Sequence, residues 1–254
     1  MLIDTHAHLQ WSSFDKDREK IINRARKIGV EYIVNIGFDL EGSRKGIELA
    51  EKHRGIYATV GIHPHNASTL DQSILDSLRK LSENPKVVAI GEIGLDYYRN
   101  LSPREAQKNA FKEQLLLAEE LGLPVVIHDR DAHADILKML SEFKGTTAAI
   151  MHCFSGSKEM AKQCLKSGSY ISFAGPVTFP NAFRLQEIAK WIDLDKVLLE
   201  TDSPWLAPQE VRGKRNEPAF LTFVAKKIAN LKGMSIDELA NVTTENANAI
   251  FQFP

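Results

Sequence analysis

The sequence predicts an α/β chain folded as one (β/α)8 TIM barrel with a metal site at the C-terminal ends of its strands. Short β-branched apolar runs recur eight times with amphipathic stretches between them, the pattern of βα units wound around a parallel sheet. At 254 residues the chain can bury the core of one such barrel, and residues 1–254 are read as a single domain. His and acidic residues sit at the ends of several of these runs, where a barrel has its mouth.

The eight expected strands are Leu2–Thr5, Tyr32–Ile36, Tyr57–Gly61, Val87–Gly91, Val125–His128, Ala148–His152, Tyr170–Phe173 and Val197–Thr201. Helices are expected near 16–28, 43–53, 131–143 and 159–167. A further helix starts at Ser102-Pro103-Arg104-Glu105, with Ser102 as N-cap and Pro103 in the first turn. It runs to about Leu121, where Gly122 supplies a left-handed cap and Pro124 prevents continuation. After the eighth strand a loop rich in Pro, Gly and Arg leads to helices Glu217–Leu231, Ile236–Val242 and Glu245–Phe251.

Composition narrows the class of protein. Apolar residues make up 43% and charged residues 26%, so neither disorder nor a fibrous repeat is expected. No apolar run approaches the roughly 20 residues that span a bilayer, and no signal-peptide core follows Met1, so the expected location is cytoplasmic. Cys153 and Cys164 are expected to be free thiols. The net charge of −1 supplies no general attraction for nucleic acid, so phosphate binding needs a local basic cluster. Nothing demands a membrane or a protein partner.

The chemistry lies in the strand ends. In Asp4-Thr5-His6-Ala7-His8, two histidines spaced by two point to one face of a strand, which in a barrel is the lumen. Glu92 follows the fourth run, His128 and His152 end the fifth and sixth, and Asp202 follows the eighth. Singly, each is as compatible with a salt bridge or a helix cap as with a ligand. Together, four imidazoles and two carboxylates crowded at one mouth are costly to hold unless a cation organises them. His6, His8, Glu92, His128, His152 and Asp202 are therefore the expected metal ligands, enough for two divalent ions with Glu92 between them. Two such ions about 3.5–4 Å apart would polarise a phosphoryl or carbonyl oxygen and activate a water, with Glu92 and Asp202 as the catalytic carboxylates. Zinc, manganese and magnesium all remain open.

These motifs resemble the TatD family of metal-dependent deoxyribonucleases, among the amidohydrolase-like barrels. The resemblance spans essentially the whole chain and also rests on Gly61-Ile62-His63-Pro64-His65, Gly91-Glu92-Ile93-Gly94-Leu95-Asp96-Tyr97, Leu123-Pro124-Val125-Val126-Ile127-His128, His152-Cys153-Phe154-Ser155-Gly156, Leu199-Glu200-Thr201-Asp202-Ser203-Pro204 and Arg212-Gly213-Lys214-Arg215-Asn216-Glu217-Pro218. It places the family's metal ligands on the same six residues. It also implies a nuclease of 3′–5′ exonuclease type acting on DNA. Relatives in the wider superfamily bridge their metals with a carboxylated Lys, and Glu92 stands where that bridge is wanted.

Substrate contacts are read from position. Arg212, Lys214 and Arg215 follow the eighth run and either reach a bound phosphate or pair with Glu210 or Glu217. Arg130 carries the same two readings. His63 is expected to face the site and touch substrate, His65 either stands behind the ligands or is exposed, and Asp96 and Tyr97 stand behind the ligands. Phe154 either stacks on a base or belongs to the core. The alternative activity is metal-dependent C–N or C–O hydrolysis of a small metabolite, since barrels of this kind host many chemistries.

Overall fold

A computed structural model describes residues 1–143, 145 and 147–254. Eight parallel strands follow one another around the sheet in chain order: β1 (Leu2–Ala7), β2 (Val30–Asn35), β3 (Ile56–Val60), β4 (Val87–Asp96), β5 (Val125–Arg130), β6 (Ala149–Met151), β7 (Tyr170–Phe173) and β8 (Val197–Leu199). The eight expected runs overlap these strands one for one. β4 differs most, because it continues to Asp96 and so carries Glu92 within the strand instead of at its end.

The helices are α1 (Arg18–Lys27), α2 (Leu40–Lys52), α3 (Gln72–Leu81), α4 (Arg104–Leu121), α5 (His133–Glu142), α6 (Lys158–Lys166), α7 (Phe183–Trp191), α8 (Leu221–Lys232) and α9 (Ile236–Phe251). The sequence reading lacked α3 and α7, although Asp71 caps α3 and Ile74, Leu75, Leu78 and Leu81 give it a clear apolar stripe; α7 buries only Ile188 and Ala189. Ser102 does not cap α4. Its hydroxyl donates to the His65 carbonyl, and Pro103 is the N-cap. Gly122 does end α4 in the left-handed region, at φ 66°. The two expected final helices are one, since Thr243 satisfies its hydroxyl on the Leu239 carbonyl inside α9. Glu217 precedes α8 because its carboxylate is held by Arg24, and Pro218–Phe220 form a separate 3-10 turn. Both cysteines are free. Among the described residues no helix is long and apolar enough to cross a membrane.

Two cores divide the barrel. The larger lies between the strands and the outer helices. The smaller takes one residue or more from every strand, including Ile3, Val34, Tyr57, Val88, Val126, Ile150, Tyr170 and Leu198, and adds Ala247, Ile250 and Phe251 from α9. These residues sit low on most strands, so α9 plugs the N-terminal end and the polar lumen is left at the C-terminal end. Ile3 and His6 differ in parity yet both reach the lumen. The β1–β2 register shifts between Asp4 and Ala7, which turns His6 and His8 inward.

Closure of the barrel relies on side chains. Between β1 and the chain after β8 there is one isolated bridge, Ala7 to Ser203. Asp4 adds the rest: its carboxylate accepts the Thr201 hydroxyl at 2.6 Å, the Thr201 amide at 2.9 Å and the His6 amide at 3.3 Å. Thr5 donates across the same seam to the Leu199 carbonyl at 3.0 Å. Burial pushes the Asp4 carboxyl up to about 8 against the pull of these donors. Removing the carboxylate leaves buried amides without acceptors, so Asp4→Ala is expected to lower unfolding stability by about 2–4 kcal/mol in chelator, measured by urea denaturation.

Candidate metal centre

Glu92 occupies the middle of the mouth, 4% exposed, on a part of β4 that glycine brings close to β5. Gly94 lies opposite His128 in the register at φ +135°, and a Cβ there would meet the His128 carbonyl oxygen at 2.1 Å. That approach lets the two strand ends present their side chains to one point. The Glu92 Oε2 atom faces His6 Nε2 at 3.4 Å and His8 Nε2 at 3.7 Å. Asp202 Oδ1 stands 3.7 and 3.6 Å from the same two nitrogens. On the other side, Oε1 faces His128 Nδ1 at 2.7 Å, His152 Nε2 at 3.4 Å and His63 Nε2 at 3.5 Å. All six expected ligands therefore meet around one carboxylate, and His63 joins them.

The local chain conformation explains the aim of Asp202. It sits at φ 56°, its amide donates to the His6 carbonyl at 2.8 Å, and the His8 amide donates to the Ser203 carbonyl at 2.8 Å. The pairing holds the His-x-His segment and Asp202 face to face.

Hydrogen bonds set which ring nitrogens carry protons. His8 Nδ1 lies 3.1 Å from the Ile36 carbonyl, an acceptor that keeps the proton on Nδ1 and leaves Nε2 as a lone pair. His6 Nε2 and His8 Nε2 are 3.1 Å apart, with carboxylate oxygens around them. Four electron-rich atoms lining one space fit a cation. Likewise, three groups of ligand atoms (His6, His152 and Asp202; His6, His8 and Glu92; His63, Glu92 and His128) each lie within 4.8 Å of one another. His63 differs in tautomer. Its Nδ1 accepts the His65 amide at 3.1 Å, so the neutral ring carries its proton on Nε2, aimed into the mouth as a donor. Burial drives this imidazole down to about 4, so it is neutral at physiological pH.

Behind the ligands stand two carboxylates. Asp96 Oδ2 contacts His128 Nε2 at 3.2 Å and His65 Nε2 at 2.8 Å. Burial would raise Asp96, but bonds from His128, the Arg99 amide and His65 hold it below the usual carboxylate range. Glu200 is the residue that sequence reasoning missed. Fully buried, it approaches His152 Nδ1 at 2.9 Å, an ion-pair contact without hydrogen-bond alignment, and accepts the Cys153 amide at 2.7 Å. Its parity with Asp202 was a legible signal, because both fall on the lumen side of the same run. Gln107 and Gln114, two turns apart on α4, were missed as well. Gln107 accepts the Asp96 amide at 2.8 Å and Gln114 the Ile62 amide at 2.7 Å, pinning the segments that carry Asp96 and His63.

Charge is balanced inside the cluster. Burial opposes ionisation of Glu92, but the charge of His152 and bonds from His128 and His6 hold it well below the ordinary glutamate value. Asp202 is lowered in the same way, against burial, by His8, His152 and His6. Conversely, burial resists a charge on His128, yet Asp96 and Glu92 lift it to about 9; Glu200 and Glu92 lift His152 to about 10.

The expected basic contacts are distributed unevenly. Arg130 is exposed at the end of β5, with its guanidinium 4.7 Å from the Tyr98 ring centre. Arg212 is exposed too, 4.5 Å from the Phe179 ring centre and 3.5 Å from Gln209 Oε1. Arg215 is committed to protein: it donates to the Ser13 carbonyl and to Asp17 at 2.6 Å, and covers Phe14. Its partner is thus Asp17, and neither Glu210 nor Glu217. Phe154 is 4% exposed in the outer core, away from the stacking role.

Comparison with known proteins shows what this chain is similar to. The family described as TatD related DNase matches residues 3–252. YabD of Bacillus subtilis, described as an uncharacterized metal-dependent hydrolase, is 47% identical over 254 residues covering 99% of both chains. A protein of Erwinia amylovora named 3′-5′ ssDNA/RNA exonuclease TatD is 39% identical, with 98% of this chain and 99% of the relative covered. The crystal structure of YjjV, a TatD homolog from Escherichia coli, superimposes with a TM-score of 0.94 at 31% identity, covering 100% of this chain and 98% of that one.

Two outcomes follow for the cluster. Because both raised imidazoles hold protons below pH 9 and must be neutral to bind metal, uptake of a divalent ion at pH 7.5 should release about two protons. The release should decline as pH rises through 9 to 10, as read by calorimetry in buffers of different ionisation enthalpy. Glu200→Gln should weaken metal retention about 10- to 100-fold with the fold intact, measured as metal per chain after dialysis.

Proposed function

The chain belongs to the TatD-related DNase family of metal-dependent hydrolases, and from that membership we propose that it is a 3′–5′ exonuclease cleaving DNA phosphodiester bonds. The observation that carries the proposal is the division of Glu92: one oxygen toward His6 and His8, the other toward His128 and His152. With Asp202, these residues would hold two divalent ions, of zinc, manganese or magnesium. Bound there, such ions supply Lewis-acid polarisation of a phosphoryl oxygen and a water of lowered pKa.

The remaining steps belong to the chain. Asp202 is ionised at neutral pH and its Oδ1 faces the His6–His8 side, so it receives the proton of the attacking water. His63 presents an Nε2 proton to a non-bridging phosphate oxygen and, being neutral, adds no competing charge at the ligands. Asp96 orients the His128 ring through Nε2, and Glu200 does the same for His152 through Nδ1. Arg130, exposed at the end of β5 over the Tyr98 ring, meets the phosphate chain, and Arg212 is a second exposed cation on the β8 side, within reach of the terminal phosphate. Arg215, expected as a further phosphate contact, instead ties the loop after β8 to the segment before α1.

The expected result is divalent-metal-dependent loss of nucleotides from the 3′ end of end-labelled single-stranded DNA, abolished by chelation. Glu92→Gln should lower kcat on the order of a thousandfold or more, since it removes a ligand shared by both halves of the site. Metal-reconstituted protein that leaves single- and double-stranded DNA intact would overturn the reading.

A further inference from the structure

Three aromatic side chains from three different loops meet beside His8. Trp11 follows β1, Phe38 follows β2 and Trp205 follows β8. Trp205 and Trp11 lie 4.9 Å apart between ring centres, Trp11 and Phe38 5.2 Å, and Trp205 and His8 5.0 Å. None of these rings is required to hold the His8 tautomer, which the Ile36 carbonyl fixes.

The angles matter more than the distances. Trp205 meets both His8 and Trp11 at 69°, edge-type contacts in which neither neighbour stacks on it, and it remains 42% exposed. A large indole left open at a polar mouth is poorly explained by packing, because its apolar area stays in water. It is well explained by a flat ligand. Every nucleobase has a π-face, and base–aromatic stacking contributes about 1–3 kcal/mol per base.

Charge decides which base. Beyond Trp11 and Phe38 opens a cleft of about 580 Å³ whose lining includes Asp15, Asp39, Glu41 and Glu48. Two of its cations, Arg18 and Lys45, are paired with Asp15 and Glu41. Lys52 is the third cation against these four carboxylates, so the lining carries a net charge of −1 and offers a phosphate backbone continuing in that direction no net attraction. The opposite rim, by contrast, offers the Arg130 guanidinium over Tyr98. The polyanion therefore leaves over the β4–β5 side, and the strand ends against the aromatic wall.

We propose that Trp11, Phe38 and Trp205 form a stacking site for the base of the terminal nucleotide, the one that is removed. This rests on the nuclease reading above and adds the position and chemistry of its leaving-nucleotide subsite. The test compares metal-reconstituted wild type, Trp205→Ala and Trp205→Phe on two single-stranded oligonucleotides, one with an ordinary 3′-terminal nucleotide and one with an abasic residue there. Wild type should remove the base-bearing nucleotide about tenfold more efficiently in kcat/KM, mainly through KM. Trp205→Ala should erase that difference at unchanged metal content, and Trp205→Phe should keep most of it. Equal wild-type rates on the two substrates, or equal losses on both in Trp205→Ala, would overturn the stacking site while leaving the nuclease intact. Cleavage of neither oligonucleotide by wild type would overturn the nuclease reading and the subsite with it.

Discussion

Everything at the mouth of this barrel depends on one buried carboxylate with two faces. Glu92 is nearly inaccessible, and it stays ionised only because imidazoles surround both of its oxygens. The dependence runs both ways, since His128 and His152 are held charged by the same carboxylate together with Asp96 and Glu200. Such a set stores a high cost of desolvation. An isolated cluster of this composition would be a poor way to stabilise a protein, and its value lies in being complementary to cations.

The barrel supplies the rigidity that the cluster needs. The candidate ligands come from strands β1, β4 and β5 and from residues just beyond β1, β6 and β8, so no local segment could build the site. Three of them are fixed by contacts behind the centre: the Ile36 carbonyl for His8, the His6 backbone carbonyl for Asp202, Asp96 for His128. Gln107 and Gln114 extend this support to the outer helix layer by satisfying backbone groups near Asp96 and His63.

What could be read from the sequence was whatever repeats with the period of the fold. The eight strands were visible because β-branched runs mark them, and the six side chains that meet at the mouth because they recur at one place in the βα unit. α3 was legible and overlooked, since Asp71 caps it and Ile74, Leu75, Leu78 and Leu81 make its apolar stripe, whereas α7 buries only Ile188 and Ala189. The parity change in β1 could not be read either, since a register shift leaves no mark in the residue types. Glu200 was hidden by its neighbour Asp202, although alternation pointed at both. The basic loop after β8 shows the limit of reading charge by position: Arg215 is close in sequence to Glu210 and Glu217 but is joined to Asp17, from the other end of the chain.

The seam between Asp4 and Thr201 joins almost the first residues of the chain to residues about four-fifths of the way along it. His6 and His8 lie beside that seam, and so does Asp202. A chain emerging from the ribosome thus carries its first two ligands long before their partner exists. Only when the eighth strand has docked can His6, His8 and Asp202 face one another, which makes assembly of the cluster a late event in the life of the nascent chain and a report that the circle of strands has closed.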